Sequence, residues 1–270
     1  FYKLNYQLKP DFQSIENNIL NKKIDIFLHV HYFGKIVDSY KSSLFAKRNN
    51  SILIEDCAHL MSPFTSKKFH GNYLIFSPHK HFALPKISFT LSKSKSDIFS
   101  KRRSYLLPLF WFLKQLIRKN LNIRSYTKWG TKWTQDIERF PKKYPNLFVI
   151  NAAKNMINNY EHFSGIRKKN LELIANKLRK IPYWEEICNY DDDSTPYILG
   201  MICDDAIIAK RRYELLNKNF QIVMQWPDLP KELLNLDFKY SKSPADWTSR
   251  NLFFFIHQQV NIRSLINEIE

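Results

Sequence analysis

The sequence predicts an α/β fold in which short parallel strands deliver reactive side chains to one sheet edge. Residues 52–54, Ile-Leu-Ile, and 73–76, Tyr-Leu-Ile-Phe, are short apolar runs bounded by polar segments. That is the pattern of strands in a sheet covered on both faces. Each run is followed by chemistry: Asp56 and His59 after the first, Ser77 and Lys80 after the second. Ligands of open α/β sheets bind beyond the carboxyl ends of the strands, so these four residues are expected at one crevice.

The remaining elements can be taken in order. Phe12, Ile15, Ile19 and Leu20 lie at helical spacing. Residues 24–31 read as a buried strand that Gly34 ends, and a helix from about Ser39 to Lys47 returns the chain to the strand at 52. This is a βαβ unit with a right-handed crossover. His29 and His31 fall on one face of that first strand, where packing or support of a nearby site suits them better than metal binding, because no third ligand is spaced to join them.

Residues 104–119 read as a helix too short to span a bilayer, which takes ~20 apolar residues. It is expected in the core or at a dimer interface, although basic ends around Trp and Phe also suit a helix lying on a membrane. The stretch 121–145 reads as a surface loop. Residues 148–180 are helical, with a break expected at Gly165. The acidic run Asp191-Asp192-Asp193 lacks the Gly and the distant Glu of a calcium loop, so a solvated turn is expected. Strands at 197–203, 220–224 and 252–256 and a helix at 206–219 complete a second, smaller α/β unit.

Bulk properties narrow the partners less than they first suggest. The chain has 270 residues, 44% hydrophobic and 15% aromatic, enough for one or two domains with a sizeable core. Its net charge of +17 raises nucleic-acid or membrane binding. The excess of Lys over Arg, with abundant Asn, Ile, Phe and Tyr, reads more simply as the composition of an AT-rich genome. Neither partner is expected. Cys57, Cys188 and Cys203 are widely spaced, without metal-ligand spacing, and a reduced, cytoplasmic setting is expected.

An acid, a lysine and a serine at one strand edge suit a pyridoxal phosphate (PLP) site. A lysine amine forms the imine with the cofactor aldehyde and later moves a proton. A carboxylate beside the pyridine nitrogen keeps it protonated, which makes the ring an electron sink. Ser77, three residues before Lys80, can donate to the phosphate, and His59 would lie near the ring and its phenolic oxygen.

Glu55-Asp56-Cys57-Ala58-His59, Ser77-Pro78-His79-Lys80 and Val30-His31-Tyr32-Phe33-Gly34 together resemble the DegT/StrS family of PLP-dependent sugar aminotransferases. The resemblance implies the PLP-dependent transferase fold type I. Residues 1–150 would form the carboxyl part of the large domain, with a central mixed or parallel sheet. Residues 151–270 would form the linking helix and a small α/β domain, with Trp226-Pro227-Asp228-Leu229-Pro230 and His257-Gln258 as its landmarks. It further implies transfer of an amino group, from glutamate, to a keto-sugar nucleotide, through a Lys80 Schiff base and within a homodimer. Asp56, His59, Ser77 and Lys80 would hold the cofactor. Family members carry a large-domain segment before this point, so the sequence is expected to be a fragment, inactive alone. Relatives with histidine in place of the lysine run a dehydration, and Lys80 points away from that. The family's Gly pair after the lysine loop is absent here, where Leu84-Pro85 is followed by Lys86-Ile87-Ser88. A family relative without catalysis, or a basic protein of membrane surfaces or nucleic acids, are the alternative readings.

Overall fold

The computed structural model describes residues 2–5, 7–19, 23–61, 68–85, 87–93, 106–120, 147–187, 189–219, 223–224 and 249–269. Lys86, Cys188 and the expectations for 121–145 and 226–230 lie outside these residues. The chain divides into two compact units. The first takes Phe1–Lys114, Pro141–Gly165 and Cys188–Tyr197, and the second takes the rest.

In the first unit, β1 (Ile26–Val30), β2 (Ile52–Asp56) and β3 (Tyr73–Phe76) run parallel, and β4 (Phe89–Ser92) adds antiparallel to β3. The strands expected near 24, 52 and 73 therefore share one sheet. Helix α1 (Phe12–Asn18) starts where the Asp11 carboxylate accepts the Ser14 N–H at 3.3 Å, relieving one unpaired donor of the first turn. Helix α2 (Tyr40–Arg48) joins β1 to β2 and ends in Lys47 and Arg48, the charge that suits a helix carboxyl end.

Alternation along β1 and β2 sends Phe27 and Leu53 inward, where they pack with Ile15 of α1 and Phe45 and Ala46 of α2. Burying each of these two large side chains stabilises the unit by roughly 1.5–3 kcal/mol. The opposite face carries Ile26, Leu28 and Ile52 at 56%, 44% and 44% exposure. The expectation of a sheet covered on both faces thus holds for one face among the described residues. An apolar run this short reads the same for either arrangement.

The second unit is built on an antiparallel sheet in the order β5 (Trp184–Glu186), β6 (Ile198–Cys203), β8 (Asn251–Phe255) and β7 (Val223–Met224). Helix α6 (Ala206–Asn219) and a closing helix α7 (Ile262–Glu268) belong to it. Tyr213, Leu216 and Leu265 bury against Leu199, Met201 and Phe254. Elsewhere α3 spans Leu106–Asn120, α4 Leu147–Asn158 and α5 Tyr160–Leu178. The break between the last two falls at Asn159, not at the expected Gly165, which sits inside α5. A glycine inside a helix costs propensity only and need not end it.

Residues 189–197 return to the first unit and dock on the turn after β1. Tyr190 Oη and the Tyr197 N–H both donate to the Phe33 carbonyl, at 3.1 and 2.8 Å. Ser194 Oγ accepts the Ile36 N–H at 3.0 Å. The acidic turn is held by side-chain partners: Lys68 reaches Asp191 and Asp193 at 3.3 and 3.0 Å, and the Ser194 hydroxyl donates to Asp191. Phe33 and Gly34 take φ of 58° and 91°. A Cβ on Gly34 would lie 2.1 Å from the Thr195 carbonyl oxygen and 2.6 Å from the Tyr197 nitrogen, both backbone atoms that cannot swing aside.

Gly34→Ala should therefore destabilise the chain by about 3 kcal/mol or more, through positive φ and backbone overlap together. Gly165→Ala, where an added Cβ meets nothing within 4 Å, should stabilise it by about 0.5–1 kcal/mol. Denaturant midpoints of the two variants against the parent check both signs.

Candidate active site

The carboxyl ends of β2 and β3 form the edge on which the sequence-predicted residues gather. Parallel pairing sets Asp56 opposite Ile75, and the Cys57 N–H donates to the Ile75 carbonyl at 2.8 Å. Beyond β3 the chain enters a tight helical turn at Pro78–Lys80, with proline at a position whose N–H would be unpaired anyway. The Lys80 N–H closes the turn on the Ser77 carbonyl at 3.0 Å, which brings Ser77 and Lys80 to the same end of the strand. The Ser77 hydroxyl does not cap the turn.

Beyond β2, Asp56 Oδ1 accepts the Ala58 N–H at 2.9 Å, and the chain turns so that His59 follows on the same side. Phe33 donates its N–H to His59 Nδ1 at 3.3 Å, so the neutral ring carries its proton on Nε2. The imidazole stacks on Tyr197, with centroids 4.7 Å apart and planes 13° from parallel. Burial, with the nearby Lys80 charge, brings the His59 pKa down to about 3, so the ring is neutral at physiological pH. The Lys80 amine is also held below its ordinary value, by loss of water around it and against the upward pull of Asp56. Its side chain nonetheless keeps access to solvent. Lys80 thus sits within electrostatic reach of both Asp56 and His59.

The histidines beside Lys80 are committed elsewhere. His79 Nδ1 lies 2.6 Å from the Ile87 carbonyl oxygen. His81 is buried and meets the Tyr197 ring edge-on at 5.1 Å. Leu84 and Ile87 enter an apolar cluster with Phe82, Met61, Val149 and Ala153. Cys57 is buried, and burial raises its thiol pKa, which makes it a poor nucleophile.

Behind the edge, on the other face of β2, lies a polar network that sequence reasoning did not foresee. Glu55 has no solvent exposure and accepts from four donors. These are His31 Nε2 at 2.8 Å, the Ser39 hydroxyl at 2.8 Å, the His70 N–H at 2.7 Å and the Gly71 N–H. Burial alone would raise the Glu55 pKa, but His31 and the other donors outweigh it and hold the carboxyl below its usual value. His31 Nδ1 accepts the Val37 N–H at 3.2 Å, which fixes the neutral tautomer with the proton on Nε2. A Cβ on Gly71 would stand 2.9 Å from Glu55 Cγ and Oε1, so the approach requires glycine. His29, beside His31 at a ring distance of 4.9 Å, pairs with Ser42 Oγ at 2.7 Å. Burial, then His31, lowers its pKa to about 4.

Tyr197 was not singled out by sequence reasoning. No local signal could have placed it, because its partners lie far off in the chain. Of the second-unit landmarks, Gln258 meets the buried Arg167 at 3.5 Å, and Asn170 Nδ2 donates to the Ile256 carbonyl at 3.1 Å.

No protein-family model matches the sequence, and none of the curated proteins is similar to it in sequence. Solved structures are similar in fold. An E. coli GDP-4-keto-6-deoxy-D-mannose-3-dehydratase with bound hydrated PLP superposes with a TM-score of 0.64 at 18% identity, over 100% of this chain and 73% of that one. Helicobacter pylori PseC, an aminotransferase involved in pseudoaminic acid biosynthesis, gives 0.66 at 14% identity, over 100% and 72%. An aminotransferase from Psychrobacter cryohalolentis gives 0.63 at 13%, over 100% and 73%. The chain shares the fold of these enzymes, the fold-type I scaffold that the resemblance to the DegT/StrS family implied.

The neutral histidines predict a pH response. His29 and His59 have pKa values of about 4 and 3 in the fold against ~6.5 unfolded. Below pH 6.5 the unfolded chain binds protons that the folded chain refuses, so stability must fall as pH falls toward 4. The contribution of the fully buried His29 is ~1.4 kcal/mol per pH unit over that window. Denaturant titrations between pH 7.5 and 5 should show the decline, and His29→Gln should flatten it.

Proposed function

We propose that this chain carries the catalytic edge of a PLP-dependent aminotransferase of the DegT/StrS type, acting on a keto-sugar nucleotide with glutamate as amino donor. One observation carries the reading. A lysine with a depressed pKa and access to solvent stands one turn from a serine, beside a carboxylate and a neutral imidazole, on the carboxyl edge of a parallel sheet.

The residues present fit the cofactor by the chemistry of their donors and acceptors. Lys80 supplies an amine more readily neutral, and so more nucleophilic, than an ordinary surface lysine. Asp56 supplies a carboxylate for the protonated pyridine nitrogen, and the Ser77 hydroxyl supplies a donor for the phosphate. His59, with its proton on Nε2, would be a donor for the phenolic oxygen. When bound, the cofactor supplies an electron sink for the bonds broken at the substrate carbon. Tyr197 and the Phe33 backbone hold the His59 ring in orientation, and Lys80 moves the proton at that carbon. Amino transfer is favoured over dehydration because the side chain at the turn's end is lysine, while His79 is tied to Ile87 and His81 is buried. Residues 1–150 carry the cofactor edge in this reading, residues 151–270 the linking helix and small domain, and the working form is a homodimer.

Incubation of the chain with pyridoxal phosphate, borohydride reduction and peptide mass spectrometry should place a stoichiometric label on Lys80. Lys80→Ala should abolish the imine absorbance, and Asp56→Asn should weaken cofactor binding at least tenfold. A stoichiometric label on Lys86 or another lysine, or unchanged absorbance in Lys80→Ala, would overturn the assignment.

A further inference from the structure

We propose that α3 is a membrane-docking element that lies along the surface of an anionic lipid leaflet. The helix turns its apolar side outward. Phe110, Leu113, Leu116 and Ile117 are 64%, 46%, 56% and 55% exposed, while Gln115 is partly covered. Phe110, Leu113 and Ile117 stand at i, i+3 and i+7 and so form one stripe, and the exposed Lys114 stands beside it. The apolar surface continues onto the first turn of α4, where Phe148 is 62% exposed and meets Phe112 edge-on at 5.5 Å.

Charge identifies the occupant. Between Ile98 and Gln135 the sequence holds nine lysines and arginines and no aspartate or glutamate, so α3 lies in an acid-free, cationic stretch. The whole chain adds to that field with its net charge of +17. A second copy packed on the stripe about a two-fold axis would bring Lys114 toward its own kind, with no acid on the helix to answer it. A nucleic acid would answer the cations but has no use for Leu113, Leu116 and Ile117, which cannot stack on bases. An anionic leaflet answers both, with headgroups for the cations and acyl chains for the stripe.

Length fixes the mode of contact. At 15 residues α3 is roughly 22 Å long, short of the ~30 Å hydrocarbon core, and no helix among the described residues is long and apolar enough to cross a membrane. It rests on the surface. The sequence alone puts this helix in the core or at a dimer interface, with a membrane surface as the alternative; the exposed stripe takes it out of the core, and charge favours the lipid surface.

The test is co-sedimentation of the whole chain with vesicles of phosphatidylcholine, with and without phosphatidylglycerol. Binding should require phosphatidylglycerol and weaken with salt. Reversing Lys114 and Arg118 to Glu should lower the partition coefficient roughly a hundredfold. Leu113→Ser with Ile117→Ser should lower it at least tenfold and leave the unfolding midpoint unchanged. Hydrogen exchange on the unaltered chain gives a readout free of any folding defect: amides of 106–120 should gain protection on vesicles while those of α6 do not. Equal binding to both vesicle types, or no protection at 106–120, would overturn the proposal. So would a dimer that Leu113→Ser splits without vesicle binding, or nucleic-acid binding indifferent to the aliphatic substitutions.

Discussion

The buried carboxylate of Glu55 is the constraint around which the first unit is arranged. An isolated charge with no access to water would cost several kcal/mol, and four donors offset that cost here. They come from the end of β1, the start of α2 and the turn that enters β3. Removing any one leaves the charge under-satisfied, so the separate elements are bound into one cooperative piece. Adjacent residues of a strand point to opposite faces. Glu55 therefore organises the interior while Asp56 faces the other way, at the carboxyl edge of the sheet.

This division of labour explains how the edge keeps its shape. The same β1 end that gives His31 to Glu55 continues into the Phe33 turn, whose N–H orients His59 and whose carbonyl receives Tyr190 and Tyr197. The orientation of the His59 imidazole is thus set by backbone atoms in a strained left-handed turn, and the strain is held by contacts on both sides. Rigid support of this kind suits a group whose protonation state matters to chemistry.

Much of the fold was legible because its strands are continuous apolar runs with polar, titratable residues at their ends. That Lys80, Ser77, Asp56 and His59 follow the carboxyl ends of β2 and β3 could be read from the sequence, because each comes directly after an apolar run. What escaped reading depends on partners distant in sequence. β4 is four residues long and largely exposed, and β5 carries two glutamates in three positions, so neither has a pattern apart from the strand it pairs with. The helix break at Asn159 has no strong local signal, whereas Gly165 has one and does not break the helix. Glu55 could be read as part of a motif, but its four donors could not, since two are backbone amides. The outward face of α3 was hidden for a related reason: periodicity marks an apolar stripe and leaves open which way it faces.

The return of residues 189–197 to the first unit also bears on the order in which the molecule can be completed. The Phe33–Gly34 turn is made early in synthesis, yet the Tyr190 hydroxyl and Tyr197 N–H that donate to its carbonyl arrive only once Tyr197 has left the ribosome. By then β5 and most of α5, which belong to the second unit, have already emerged. Closing a loop of that span costs entropy before any contact rewards it, which slows the step relative to local helix formation. The sheet can assemble while the chain is still growing, but the turn beside His59 gains its last partners only after residue 197 has emerged.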